Sequence, residues 1–188
     1  MIAVGLAAIP LALLLTHRSS APATPVGRKD LRLSRIASEL ARRPVEVHCR
    51  PSGGKLLGPA GDSGSVGFDL EGRPDDFAEL TSGVCSTLHA YARHAASGDF
   101  DVAWSMNALA HESYHLAGVR NEAVTECYAL QGVPFVARSL GATADQAEAL
   151  FWITAGRVRD AMPREYWTRD CYEGGPLDLR PSTPGLGR

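Results

Sequence analysis

The sequence predicts an α+β domain, mostly helical with a small β-sheet. Three features point there: several stretches repeat apolar residues at helical period, short runs alternate as strands do, and glycine–proline clusters separate them. The chain has 188 residues, enough for one compact domain with a single core plus tails.

Leu31, Leu33, Ile36 and Leu40 form an apolar stripe that ends where two arginines precede Pro44. Val45-Glu46-Val47 alternates and predicts a strand leading into Cys49. Residues 51–64 are dense in glycine and proline, hence loop, and residues 65–70 read as a second, weaker strand. A helix is expected over 82–97, with Val84, Leu88 and Tyr91 on one side and a break at Ser97-Gly98-Asp99. The stretch 101–117 predicts an alanine-rich helix with Trp104, Ala108, His111 and His115 on one face. Gly118 is placed to stop it, and Asn121 can cap the next helix. That helix is expected to end near Leu130, because Gly132 and Pro134 follow. Thr143 and Gln146 have the spacing of a capping box and open a last helix to about Arg159. Beyond Pro163 the chain reads as irregular.

Residues 1–18 read as a signal peptide or membrane anchor. The uncharged run MIAVGLAAIPLALLL is short for a membrane-spanning helix, which needs roughly 20 apolar residues, and suits the apolar region of a secretory signal. A Pro/Ser/Ala linker follows over 19–28, then the folded domain over 29–180 and a disordered tail over 181–188. The four cysteines, Cys49, Cys85, Cys127 and Cys171, form no CxxC pair, so a four-thiolate metal site is not expected. An even count behind a signal-like segment fits two disulfides in an oxidising compartment, and the favoured pairing is Cys49–Cys85 with Cys127–Cys171. The domain is therefore expected outside the cytoplasm, secreted or membrane-anchored. A net charge of -2 without a basic stripe gives no support for nucleic-acid binding.

His111-Glu112-Ser113-Tyr114-His115 is an HExxH. With six histidines in the chain, random order would produce it in roughly one such chain in a hundred. On a helix, residues four apart lie one turn above each other, so both imidazoles can coordinate one zinc ion. Glu112 lies about 100° around the helix, placed to take a proton from a zinc-activated water and pass it to a leaving amine. A third ligand is needed, and the following residues include Asn121, Glu122 and Glu126.

The HExxH followed by Asn121-Glu122-Ala123 and Glu126, with Ala129 one turn on, resembles the gluzincin group of zinc peptidases over about residues 108–130. The resemblance implies a zincin-like metallopeptidase domain, with Glu122 as third zinc ligand and Glu126 as the carboxylate that orients a zinc-binding histidine. The link from His115 to Glu122 is shorter than in gluzincins, so a tight helical hairpin through Gly118 is required. Glu126 as direct ligand is the main alternative. A metzincin-like spacing would place the ligand on Asn121, a poor zinc ligand and a good cap. Tyr166 or Tyr114 could steady an oxyanion, and a Cys127–Cys171 bridge would carry Tyr166 toward the second helix.

The expected function is an exported zinc-dependent hydrolase cleaving peptide or protein substrates, laid along an edge strand such as 65–70 by strand addition. The alternative is an extracellular, disulfide-stapled binding module with a structural zinc or an inactive site. Gly61-Asp62-Ser63-Gly64 is similar to the nucleophile segment of chymotrypsin-like peptidases, but too little chain precedes Ser63 for that fold, and a turn is expected. His89 and His94 do not share a helix face and read as ordinary histidines.

Overall fold

The computed structural model describes residues 24–51, 63–94 and 98–179. The signal or anchor segment 1–18 and the tail 181–188 lie outside the described residues.

The fold is α+β. Strands β1 (Arg28–Lys29), β2 (Glu46–Cys49), β3 (Gly64–Ser65) and β4 (Phe77–Leu80) form one sheet in the order β1-β2-β4-β3. The central pair β2/β4 is parallel, and β1 and β3 add antiparallel at the edges. Helices α1 (Leu31–Ala41), α2 (Ser82–His94), α3 (Phe100–Leu116), α4 (Glu122–Ser139) and α5 (Ala144–Ile153) account for most of the rest. Helix α3 is the axis of the domain, touching α1, α2, α4, α5 and β4. Met106, Leu109 and Leu116 on it are fully buried, each worth about 1.5–3 kcal/mol of transfer energy. Among the described residues no helix is long and apolar enough to cross a membrane.

Local chemistry explains most helix ends. Asp30 caps α1 by accepting from the Arg32 and Leu33 amides, and Val84, Leu88 and Tyr91 of α2 all face the core. Helix α3 stops in a Schellman turn: Gly118, at φ +95°, donates to His115 O, and the Val119 amide donates to Tyr114 O. The side chain of Arg43 secures that end, its Nε donating to Leu116 O at 2.9 Å and its Nη2 to Asp75 O at 2.7 Å. Asn121 then caps α4 through Val124 N, and Thr143 forms the capping box with Gln146.

Three expectations need correction, and one strand was not foreseen. The strand expected over 65–70 is only Gly64–Ser65; the chain then folds back on itself through a Phe68–Pro74 bridge. Strand β4 went unforeseen because Glu79 sits buried in it, paired with Arg50 and accepting from the Val26 and Gly27 amides. The same two bonds fasten Val26 and Gly27, at the end of the expected linker, to the sheet. Helix α4 does not stop at Leu130 but continues through Gly132 and Pro134 to Ser139. Gly132 is there because α3 passes close: a Cβ would lie 3.3 Å from the Ala110 methyl and 3.4 Å from the Tyr114 ring. Pro134 costs one backbone bond, which burial of Val133, Val136, Ala137 and Leu140 outweighs. The last helix is not continuous to Arg159 but passes through a π-helical turn, Thr154–Val158, before a final turn, Arg159–Ala161.

Two disulfides join Cys49 to Cys85 and Cys127 to Cys171. The first ties β2 to α2. The second ties α4 to the C-terminal segment, which carries a 3-10 turn at Arg164–Tyr166.

Candidate metal centre

The Schellman turn and the Asn121 cap reverse the chain within five residues, so α4 starts beside the last turn of α3. Glu122, the first residue of α4, thereby meets both imidazoles. Its Oε2 lies 3.0 Å from His111 Nε2 and 3.3 Å from His115 Nε2. The donor atoms of His111, His115 and Glu122 all fall within 4.8 Å of one another, and this group could hold a metal ion.

The opposite ring nitrogens are fixed by other partners. His111 Nδ1 lies 3.0 Å from Glu126 Oε2, and His115 Nδ1 lies 2.7 Å from Val119 O. Both rings therefore present Nε2 to the same point, as metal-binding histidines require. Glu126 is thus committed to His111 and lies outside the three-residue group, while Asn121 is spent on its cap. Phe68 packs edge-on against His115 at 5.8 Å, and Arg120 lies over the Phe68 ring.

The other face opens onto a cavity of about 250 Å³ lined by His111, Glu112, Tyr166, Asn107, Trp104, Ala108, Ser63, Gly64 and residues 161–163. Glu112 is buried, and its Oε2 has no hydrogen-bond partner among the described residues. Burial raises its pKa and the Glu122 charge adds to this, against the pull of His111 and His115. The Tyr166 ring packs at a tilt of 41° against the His111 ring, centroids 5.6 Å apart. Burial, with the carboxylates around it, lifts its phenol to about 12, so it stays protonated at neutral pH. Tyr114 instead packs on Tyr128 at 5.5 Å and does not line the cavity.

Sequence reasoning missed Asn107, Ser63 and Gly64. Asn107 donates to Glu126 Oε1 at 2.9 Å and so holds the carboxylate that holds His111. Its signal was present: Asn107 precedes His111 by four residues, the same interval that separates the two histidines. Ser63 Oγ accepts from Trp104 Nε1 at 2.7 Å. At Gly64 a Cβ would fall 2.7 Å from Glu112 Cγ and 2.8 Å from its Oε1, so only glycine lets Glu112 occupy its place.

Without metal, His111 and Glu122 serve as each other's counter-charge. Burial pulls the His111 pKa down, but hydrogen bonds to Glu122 and Glu126 outweigh it and hold the group at about 10. Glu122 is held near 2 by its bonds to the two histidines. The raised histidine stabilises the fold fully below its ordinary 6.5, and that contribution is lost as pH rises toward 10. The depressed glutamate contributes fully above its ordinary 4.5, and that is lost as pH falls toward 2. Chelator-treated protein should therefore show its greatest thermal stability advantage over Glu122→Gln between about pH 4.5 and 6.5, narrowing on both sides. Paired melting curves across pH 2–10 test this; a constant gap would refute the pairing.

No protein-family model, curated protein or solved structure matches this chain.

Proposed function

We propose that this protein is a zinc-dependent hydrolase, a zincin-like metallopeptidase of the gluzincin kind, acting on peptide-like bonds outside the cytoplasm. The observation that carries the reading is the convergence of His111, His115 and Glu122 on one point beside the buried Glu112, which with His111 lines a cavity. Two imidazoles and one carboxylate are a donor set used by catalytic zinc, which keeps its fourth position open. Ligands about 2.0–2.2 Å from a tetrahedral zinc sit roughly 3.3 Å apart, and the Glu122 oxygen lies 3.0 and 3.3 Å from the two Nε2 atoms. Glu126 is engaged by His111 and Asn107, which argues against a fourth protein ligand closing the site.

Zinc bound there would supply Lewis acidity, making water acidic near neutral pH and polarising a carbonyl. Glu112 faces the same space as the general base, taking a proton on its unpartnered Oε2 and returning it to the leaving nitrogen. Tyr166, protonated and against His111, donates its O–H to the oxygen that gains negative charge. Substrate backbone would add along β3, the edge strand whose Gly64 touches Glu112. Two disulfides fit an oxidising compartment.

Metal analysis of the purified protein, with a broad peptide-cleavage screen, tests the reading. One zinc per chain is expected, with cleavage lost on chelation and restored by zinc; protein that takes up no metal at neutral pH sinks it. Gly64→Ala should leave the zinc in place yet cut turnover by about a hundredfold, because the new methyl displaces Glu112. Unaltered turnover in that variant would show that Glu112 need not sit against β3.

A further inference from the structure

The cavity beside Glu112 has a size and a lining that specify what enters it. Its volume of about 250 Å³ exceeds the roughly 150 Å³ that accommodates benzene and falls short of the roughly 300 Å³ where drug-sized pockets begin. One ring on its methylene stem fills it. Room comes from two alanines, Ala108 on α3 and Ala161 after the π-helical turn; the apolar walls are Trp104, Met162 and Pro163, with Asn107 and Tyr166 on the polar side.

These walls suit an aromatic ring in particular. Trp104 offers a large π-face, Met162 a thioether of the kind that packs well on rings, and Pro163 an apolar ring edge. The Trp104 wall is fixed rather than free to collapse inward, because its indole N–H is bound to Ser63 Oγ. No lysine or arginine lines the cavity among the described residues, and its one carboxylate is Glu112. An acidic side chain would therefore give up water without gaining a partner, and a basic one could reach only Glu112, the group the proposed reaction uses. Because His111 and Glu112 line the cavity, its occupant would belong to a residue flanking the bond under attack.

We infer that this cavity receives an aromatic side chain, phenylalanine or tyrosine, of the residue adjoining the cleaved bond, and that Trp104 is its specificity-determining wall. Calling the occupant a substrate residue rests on the hydrolase reading; the binding preference itself does not.

The test separates the two. N-acetyl-phenylalanine amide is titrated into the full protein, with the indole N–H resonance of Trp104, assigned by Trp104→Phe, as the reporter. The amides of N-acetyl-glycine, N-acetyl-lysine and N-acetyl-glutamate serve for comparison. The phenylalanine amide should bind roughly ten- to a hundredfold more tightly than the others, from the apolar area it buries. Ala161→Leu, at the exposed rim, should abolish that preference while metal content is retained, and Ala108→Leu fills the same space from the opposite side. In a peptide library, cleavage should fall beside phenylalanine or tyrosine. Equal binding of the glycine and phenylalanine amides, or a preference that survives filling the cavity from both sides, overturns the assignment. Cleavage indifferent to aromatic residues also overturns it and leaves the hydrolase reading standing. Aromatic binding with no peptide cleaved supports the pocket and counts against the hydrolase.

Discussion

If the protein is the proposed zinc hydrolase, replacing Glu112 with glutamine is expected to lower turnover by about 10²–10⁴-fold while zinc binding is retained. The substitution changes no ligand, since His111, His115 and Glu122 are the converging donors and Glu112 stands outside them. An amide of the same shape fits the space against Gly64, but it cannot accept a proton from water. The same substitution should not lower the melting temperature. Glu112 is a buried carboxyl whose Oε2 has no partner among the described residues, a group that costs the fold free energy. Glutamine removes that burden of desolvated charge, so loss of activity at equal or higher stability is the signature of a residue kept for chemistry. Metal analysis, a melting curve and a rate assay on one preparation suffice. A variant that still turns over at the normal rate would remove Glu112 from the reaction.

The core of this site was legible because it is written in short-range periodicities. The interval between His111 and His115 fixes their common face, and Gly118 and Asn121 mark a helix end and a helix start close enough to turn Glu122 back. What was illegible depends on partners far along the chain. Glu79 reads as a residue that does not belong in a buried strand until Arg50 and the amides of Val26 and Gly27 are seen to satisfy it. Asn107 reads as an ordinary helix residue until Glu126 arrives from α4. Pro134 and Gly132 look like breakers because local propensity says so, whereas α4 is held by what it packs against. The edge strand was placed too long because after Ser65 the alternating run leaves β4 and pairs back on itself, with Phe68 bridged to Pro74 and set against His115. Tyr166 could be assigned near the site only through the Cys127–Cys171 pairing, which is itself a long-range fact.

Loss of that bridge is expected to cost the fold heavily and to slow turnover as well. It closes a loop of 44 residues, for which chain entropy alone gives about 4 kcal/mol. Domains of this kind have roughly 5–15 kcal/mol to lose. The bridge also has a local consequence that the Cys49–Cys85 bond, closing 36 residues, does not share. Cys127 follows Glu126 directly, and Cys171 anchors the segment in which Tyr166 lies on the His111 ring. Gln131 adds a further fastening, donating to Leu177 O and accepting from Leu179 N. Cys127→Ser with Cys171→Ser should therefore lower the melting temperature sharply and also reduce turnover at temperatures where the variant is still folded. Removing Cys49 and Cys85 should cost a similar amount of stability but leave the turnover of the folded fraction near normal. Measuring rate per folded molecule in both double variants distinguishes a tether for Tyr166 from a general staple: equal rates in the two would mean that the second bridge holds only the fold.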